Sequence, residues 1–216
     1  MRQGELTIID DLFVRYPSME DCREDVIDAA EALIECFRGE GKLLVCGNGG
    51  SAADSDHIVG ELMKGFALPR RLRQEIQERF YEAFPDEADG LIHNLQSALP
   101  AISLSAHTAL LTAFGNDVSP EYAFAQQVLG YGRAGDVLLA ISTSGNSSNI
   151  LHAARTAKIQ GIKVIGLTGQ IGGELKKLSD ISICVPEREP YRIQELHLPV
   201  YHCLCLCAER CIFADN

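Results

Sequence analysis

Short apolar runs alternate with longer amphipathic segments along most of the chain. Apolar residues at helical spacing predict a helix over about 19–38, and Gly39 and Gly41 follow it as stop signals. Five of the apolar runs predict buried strands: 42–46, 100–104, 136–142, 163–169 and 180–185. Short apolar strands that alternate with helices are typical of a parallel sheet covered on both faces. The pattern therefore predicts an α/β fold, a doubly wound parallel sheet flanked by helices.

One segment interrupts this alternation. Residues 66–98 are charged and helix-favouring, with prolines as breaks, and we interpret them as a helical insertion. A helical segment of about 1–40 precedes the first strand, and the 216 residues are expected to form a single domain. The insertion contains a cluster of three arginines, Arg70, Arg71 and Arg73. Such a cluster could reach an anionic ligand, but an exposed helical face is its commoner location.

The charge balance restricts the kinds of partner. Nineteen Lys and Arg against thirty Asp and Glu give a net charge of −11, which opposes binding to nucleic acid or to an anionic membrane. A small anionic substrate remains possible, because backbone amides can bind it locally. No run approaches the ~18 to 20 consecutive apolar residues of a membrane span, and the first residues lack a signal-peptide pattern. We therefore expect a cytoplasmic protein.

The eight cysteines do not follow the spacing of a structural zinc site. Four stand alone in apolar segments: Cys22, Cys36, Cys46 and Cys184. The other four cluster near the C-terminal end: Cys203, Cys205, Cys207 and Cys211. On a helix, residues two apart diverge by about 200°, so Cys203 and Cys205 would not face one metal ion. We expect buried free thiols, the last four of them packed in a helix.

A glycine-rich loop follows the first predicted strand, at the edge of the sheet where ligands of open parallel sheets bind. It contributes four candidate binding residues: Asn48, Gly49, Gly50 and Ser51. Its glycines would let the backbone approach an anion at the start of a helix, although a tight turn would also use glycines. A third polar loop, predicted after residues 106–114, contributes Asn116 and Asp117, which could bind sugar hydroxyls or form an Asx turn.

A hydroxyl-rich loop follows the third predicted strand. Its candidate binding residues are Ser142, Thr143, Ser144 and Ser147. Neutral hydroxyls directly before a helix are suitable donors to phosphate oxygens. Helix capping by Ser147 or Ser148 would explain one or two of them, and the excess over that number indicates a ligand.

Two further groups of residues could carry chemistry. His57 and Glu61 lie four apart on a predicted helix, which places both side chains on one face. This spacing suits a metal ion or an acid/base pair, although it also occurs in surface hydrogen bonds. Residues 192–202 concentrate polar side chains in an otherwise apolar region, and Pro199 predicts a kink or a helix start there.

The motifs CGNGGSAADSDHIVGE, FGND, ISTSGNS, LTG and RIQELHLPVYH occur in this order at the predicted strand-to-helix junctions. With these motifs the chain resembles the phosphoheptose (sedoheptulose 7-phosphate) isomerases of the SIS, or sugar isomerase, superfamily, over about 41–202 apart from the insertion. The resemblance implies a flavodoxin-like three-layer fold and a homotetramer with active sites at subunit interfaces. It also implies that the two loops rich in glycine and in hydroxyls hold a sugar phosphate, and that Asn116 and Asp117 contact it.

The resemblance further implies a zinc site and an acid/base pair. The implied zinc ligands are His57, Glu61, Gln194 and His202. Glu61 and His202 are also the implied acid/base pair, and Glu61 and Gln194 are implied substrate contacts. On a straight helix, Gln194 and His202 would lie about 12 Å apart along the axis. A break near Pro199 or long side chains would have to close that gap, and His197 is the fallback ligand.

The resemblance therefore implies an isomerase that interconverts sedoheptulose 7-phosphate and D-glycero-D-manno-heptose 7-phosphate. Removing a proton next to a carbonyl is difficult for a carboxylate of pKa ~4.3 unless the developing enediolate is stabilised, and zinc can supply that stabilisation. One alternative is a non-catalytic SIS module that binds a phosphosugar or a protein partner, as a replication-initiation regulator of the superfamily does. Another is an isomerase of a different anionic sugar.

Overall fold

A computed structural model describes residues 3–214 as a five-stranded parallel sheet with helices on both faces. The strands are β1 (Leu43–Cys46), β2 (Ala101–Ser103), β3 (Val137–Ile141), β4 (Lys163–Thr168) and β5 (Ile181–Cys184). Each lies within one of the five predicted runs. The predicted α/β fold is therefore confirmed.

Ten α-helices and two short 3₁₀ segments accompany the sheet in the described range. The helices are α1 (Gln3–Arg15), α2 (Arg23–Arg38), α3 (Gly50–Met63), α4 (Gln74–Ala83), α5 (Ala88–Asn94), α6 (Thr108–Asp117), α7 (Ala123–Tyr131), α8 (Ser148–Ile159), α9 (Gly173–Leu178) and α10 (Pro190–Phe213). The 3₁₀ segments are Pro17–Cys22 and Pro120–Tyr122. The helix predicted from residue 19 thus begins at Arg23, because a 3₁₀ turn opened by Pro17 precedes it.

Of the helices in this range, none combines the length and apolar character needed to cross a bilayer.

Alternate strand residues point to opposite faces of the sheet, and each face has its own core. One core packs against α1, α2 and α10 and includes Leu43, Val45, Leu139, Ile141, Ile165 and Leu167. The other packs against α7 and α8 and includes Leu44, Cys46, Leu138, Ala140 and Val164. Because both faces are covered, the strands are apolar throughout, which is why the sequence shows continuous apolar runs.

The strand order β2-β1-β3-β4-β5 determines where a ligand can bind. The chain leaves β1 for β2 on one side and later adds β3 on the other side of β1. The connections therefore diverge at the carboxyl ends of β1 and β3 and leave a crevice there. The glycine-rich loop follows β1 and the hydroxyl-rich loop follows β3, so both predicted binding loops lie at this crevice.

Two features of the C-terminal half bear on the sequence predictions. α10 continues through Pro199 as one helix of 24 residues. No disulfide joins the eight cysteines; six are buried as predicted, whereas Cys184 and Cys211 are only partly buried.

The 66–98 segment contains α4 and α5. An irregular stretch that includes Arg70 joins α3 to α4. The expectation that its arginines form an exposed helical face is wrong for Arg70, whose side chain is fully buried outside any helix. The reason is an ion pair with Glu209 of α10, which offsets the cost of burying the charge.

Candidate active site

The glycine-rich loop turns sharply between β1 and α3. Gly49 has a φ of +57°, a conformation that glycine adopts more easily than other residues. A Cβ atom on Gly50 would come within 2.6 Å of Nε2 of Gln194, so the Gln194 amide packs directly on this loop. Asn48 is exposed and Ser51 is buried at the start of α3. The loop therefore presents backbone and the Gln194 amide to the crevice.

The hydroxyl-rich loop is held by contacts among its own side chains. The hydroxyls of Ser142 and Ser147 lie 3.2 Å apart, and Ser144 Oγ accepts a hydrogen bond of 3.1 Å from the Asn146 amide. Ser147 occupies the N-cap position of α8 but makes no side-chain capping bond, and Ser148 donates to Glu121 instead. Helix capping by Ser147 or Ser148 is thus not what these hydroxyls do.

Two asparagine side chains join the loops. Asn48 Nδ2 donates to Asn149 Oδ1 at 2.9 Å, and Asn149 Nδ2 donates back to Asn48 Oδ1 at 2.9 Å. This reciprocal amide pair holds the glycine-rich loop and the start of α8 at a fixed separation. Asn149 was not among the residues singled out from the sequence, because nothing local distinguishes it from other polar residues near a helix start.

His57 and Glu61 contact each other on α3, as their spacing predicts. His57 Nε2 lies 3.2 Å from Glu61 Oε1, and Lys64 Nζ donates to Glu61 Oε2 at 2.8 Å. Burial raises the pKa of Glu61, but the hydrogen bonds and charges of Lys64 and His57 outweigh it, and the net pKa is below the usual value. Glu61 is therefore a carboxylate, able to accept a proton or a cation.

Tyr201 of α10 orients the His57 ring. Its phenol donates a hydrogen bond of 3.2 Å to Asp54 Oδ1 and lies 3.0 Å from His57 Nδ1. Because the phenol proton goes to Asp54, the phenol oxygen accepts the proton on Nδ1. Nε2 then faces Glu61 as a nitrogen that must carry either a proton or a metal ion. The sequence alone does not single out Tyr201 or Asp54, since their relation arises only when α3 and α10 pack together.

His202 completes a cluster with His57 and Glu61. Its ring centroid lies 5.0 Å from that of His57, in an edge-to-face arrangement. Its Nε2 atom is buried and has no hydrogen-bond partner. Burial and the nearby His57 lower the pKa of His202, with Glu61 opposing, so the ring is neutral at pH 7. His202 also lines a cavity of about 450 Å³ between α1 and α10.

Other candidate residues lie apart from this cluster in the single chain. Gln194 packs on Gly50, about 10 Å along the α3 axis from His57. His197 is fully buried, neither ring nitrogen makes a well-aligned hydrogen bond, and burial lowers its pKa to about 4. It lies near the backbone of Thr168.

The prediction that Asn116 and Asp117 lie in a third polar loop is wrong. Asn116 and Asp117 form the end of α6, where both are exposed and the Asn116 side chain donates to Asp117. The helix continues through Gly115 to Asp117. The amides of Val118 and Ser119 both bond to the Phe114 carbonyl and close its last turn, just before Pro120.

The donors in the cluster fit zinc by their chemistry. Two imidazoles and a carboxylate are ligands that zinc takes, and the buried Nε2 of His202 has no other partner. Within residues 3–214, no three His, Cys, Asp or Glu side chains already stand as a metal-ligand group. Lys64 occupies one oxygen of Glu61. The other oxygen, Oε1, faces His57 Nε2, so a cation shared by these two side chains would bind that oxygen.

The SIS domain model matches residues 17–79 and 76–169. The phosphoheptose isomerase of a Nitratiruptor species is 42% identical over 86% of each chain. Among solved structures, the phosphoheptose isomerase GmhA of Neisseria gonorrhoeae has a TM-score of 0.73 and 33% identity, with 93% of each chain covered. That of Francisella tularensis has a TM-score of 0.74 and 33% identity over 91% of each chain. The chain belongs to the phosphoheptose isomerase family.

As a member of the phosphoheptose isomerase family, the chain is an enzyme of the phosphosugar isomerase class. The two matched parts of the SIS domain meet at residues 76–79, inside the 66–98 segment. The sheet, the two loops and the α3–α10 cluster are formed by residues that precede or follow that segment in the sequence.

Proposed function

We propose that the chain interconverts sedoheptulose 7-phosphate and D-glycero-D-manno-heptose 7-phosphate. The observation that carries the proposal is the cluster of Glu61, His57 and His202, which combines a carboxylate, an imidazole nitrogen held toward it and a neutral imidazole. A ketose–aldose isomerisation needs a base for a carbon-bound proton and a second group that exchanges protons beside it. The relatives named phosphoheptose isomerase support the choice of a seven-carbon sugar phosphate.

The phosphate group would bind at the crevice between the two loops. Ser142, Thr143, Ser144 and Ser147 supply hydroxyls, and the residues 48–51 supply backbone amides at the start of α3. These are neutral donors, which bind a dianion without requiring a basic surface. An acidic protein of net charge −11 can therefore hold an anionic sugar here.

Glu61 and His202 would move the proton. The Glu61 carboxylate takes a proton from C1 of the ketose as the C2 carbonyl becomes part of an enediol, and the proton returns to C2 to give the aldose. His202, neutral before substrate binds, exchanges the proton of the neighbouring oxygen. The overall reaction moves one hydrogen from C1 to C2 and one from O1 to O2, and it leaves the oxidation level of the sugar as a whole unchanged.

We also propose that the site holds zinc. His57, Glu61 and His202 would hold it. Gln194, the fourth ligand that the family resemblance implies, lies apart from these three in the single chain and would have to come from a neighbouring subunit. When bound, the metal supplies electrophilic polarisation of the sugar carbonyl. Tyr201 and Asp54 then serve to keep the Nε2 lone pair of His57 directed toward it.

The proposal is tested with the zinc-loaded protein and sedoheptulose 7-phosphate, with conversion followed by NMR. Glu61→Gln is expected to abolish turnover while the sugar phosphate still binds. Glu195→Gln, an exposed carboxylate on α10, is the matched control and should keep wild-type turnover. Binding of sugar phosphate by a folded wild-type protein without turnover would instead identify a phosphosugar-binding module.

Two further expectations stay predictions. The family resemblance implies a homotetramer with active sites at subunit interfaces, and α6, which has partly exposed apolar side chains and no fully buried one, is a surface that such assembly could cover. Native mass spectrometry would measure the number of subunits. The cytoplasmic location also stays a prediction, which fractionation of the source cells would check.

A further inference from the structure

A buried ion pair lies beside the candidate acid/base residues. Arg70 Nε and Glu209 Oε1 are 2.8 Å apart, and the two side chains are 0% and 1% exposed. Removing two charges from water is costly, and such a pair persists only when further hydrogen bonds satisfy both groups. The partners of each group therefore indicate what the pair holds in place.

Glu209 holds the chain that leaves α3. Its carboxylate accepts hydrogen bonds from the amides of Phe66, Ala67 and Leu68, at 2.7, 2.7 and 3.1 Å. Three consecutive amides on one carboxylate define a tight turn. This turn begins five residues after Glu61 and is anchored to α10 through Glu209.

Arg70 holds the end of α3 itself. Its Nη2 donates to the backbone carbonyl of Glu61 at 3.0 Å, and its Nη1 donates to that of Leu62 at 2.5 Å. The last carbonyls of a helix lack partners within it, and the guanidinium fork satisfies two of them. The guanidinium also lies over the ring of Phe213, 4.9 Å from its centroid, at the end of α10.

The two helices joined in this way are those that carry the proposed acid/base pair. Glu61 lies on α3, and His202 lies on α10 seven residues before Glu209. The path from the Glu61 backbone through Arg70 to Glu209 is therefore a second link between the helices, next to the side-chain cluster. A shift of about 1 Å between two reacting groups is sufficient to reduce turnover strongly.

We propose that Arg70 and Glu209 are positioning residues, which fix the Glu61 carboxylate relative to His202. This inference rests on the proposed isomerase function. An apolar pair could fill the same volume, but it could not pair with two helix carbonyls and three loop amides at once. The ion pair is used here because only a guanidinium fork and a carboxylate supply that number of directed bonds.

The test compares Arg70→Lys with Arg71→Lys, a conservative change at the exposed neighbour. Lysine keeps the charge next to Glu209 but cannot donate in a fixed fork to both carbonyls. For folded Arg70→Lys we expect kcat to fall about 10-fold or more while KM for the sugar phosphate changes less than about 2-fold. Hydrogen exchange at the Phe66 to Leu68 amides should become faster. Arg71→Lys should match the wild type in all three measurements.

The outcomes separate this inference from the proposed function. A wild-type protein that does not turn over the sugar phosphate contradicts the proposed function. An active wild type with unchanged kcat in folded Arg70→Lys contradicts the positioning role. If Arg70→Lys does not fold, Glu209→Gln, which keeps the volume and one acceptor oxygen, is measured in the same way. Loss of folding in both variants would also overturn the inference, because the pair would then be needed for the fold itself.

Discussion

The phenol oxygen of Tyr201 lies 3.0 Å from Nδ1 of His57 and directs its own proton to Asp54. The ring of His57 is therefore fixed in one orientation by a residue 144 positions away in the sequence. An orienting group of this kind matters for a metal ligand, because it selects the nitrogen that carries the lone pair.

Tyr201→Phe removes this hydrogen bond with little change in volume. We expect zinc affinity and turnover to fall by roughly 10- to 100-fold, the usual effect of losing such a partner. Zinc titration and steady-state kinetics measure the two effects. Tyr191→Phe is the control, since Tyr191 is exposed on the same helix and its phenol only accepts from Arg192. Unchanged zinc affinity in Tyr201→Phe would contradict the orienting role.

The reciprocal pair of Asn48 and Asn149 predicts a defect in binding. Asn149→Ala removes both hydrogen bonds between the loops, each worth about 0.5–1.5 kcal/mol. We expect KM for the sugar phosphate to rise by up to roughly 10-fold with kcat nearly unchanged, because the loops lose their fixed separation. Asn94→Ala, which removes a hydrogen bond to the Gly90 carbonyl in α5, is the control. An Asn149→Ala enzyme with the wild-type KM would show that the pair does not shape the phosphate site.

Gly145 in the hydroxyl-rich loop cannot be replaced without strain. Its φ is +65°, and a Cβ atom there would collide with the backbone carbonyl of Gly172. Gly145→Ala is expected to lower the free energy of unfolding by about 2 kcal/mol or more and to weaken sugar phosphate binding. Gly130→Ala, in an exposed turn of α7 with open space at the Cβ position, should raise it by about 0.5–1 kcal/mol. Urea denaturation measures both, and equal effects in the two variants would refute the argument.

His197 predicts how stability depends on pH. Burial lowers its pKa to about 4 from an ordinary 6.5, so below pH 6.5 the unfolded chain binds a proton that the folded chain does not. Unfolding then takes up a proton, and stability is lost as the pH falls from about 6.5 to about 4, by about 3 kcal/mol from this residue.

His197→Leu and His197→Gln should both remove this part of the acid destabilisation, because neither side chain titrates. Thermal or urea unfolding at several pH values between 4 and 7 measures it. His197→Leu should in addition be no less stable than wild type at acidic pH, since it buries no unpaired polar atom. A slope that persists in both variants would assign the acid sensitivity to other groups.

Local sequence patterns were sufficient to predict the five strands and to locate the glycine-rich and hydroxyl-rich loops. The apolar runs located all five strands, because a sheet covered on both faces requires buried residues at successive positions. The glycine-rich and hydroxyl-rich loops stood out by composition, and the strand order placed them at one crevice. The pairing of His57 with Glu61 followed from helix geometry alone.

Relations between distant parts of the chain could not be predicted in this way. Arg70 was expected on an exposed helical face, but its buried position depends on Glu209, 139 residues later. Tyr201 lies in an apolar helical stretch like several other aromatic residues, and only the packing of α10 on α3 gives it a role. The error at Asn116 has a different origin: a local turn signal was read as a loop, whereas Asn116 and Asp117 form the last turn of α6, which the amides of Val118 and Ser119 close by bonding to the Phe114 carbonyl.

The division of the candidate cluster between α3 and α10 has a consequence for biosynthesis. At roughly 5–20 residues per second, a ribosome adds the stretch from His57 to Tyr201 in about 7 to 30 seconds. Late in that interval the growing polypeptide contains both loops that would bind an anion, but His57 still lacks its contacts with Tyr201 and His202. The proposed acid/base cluster can therefore form only when α10 has emerged and docked on α3.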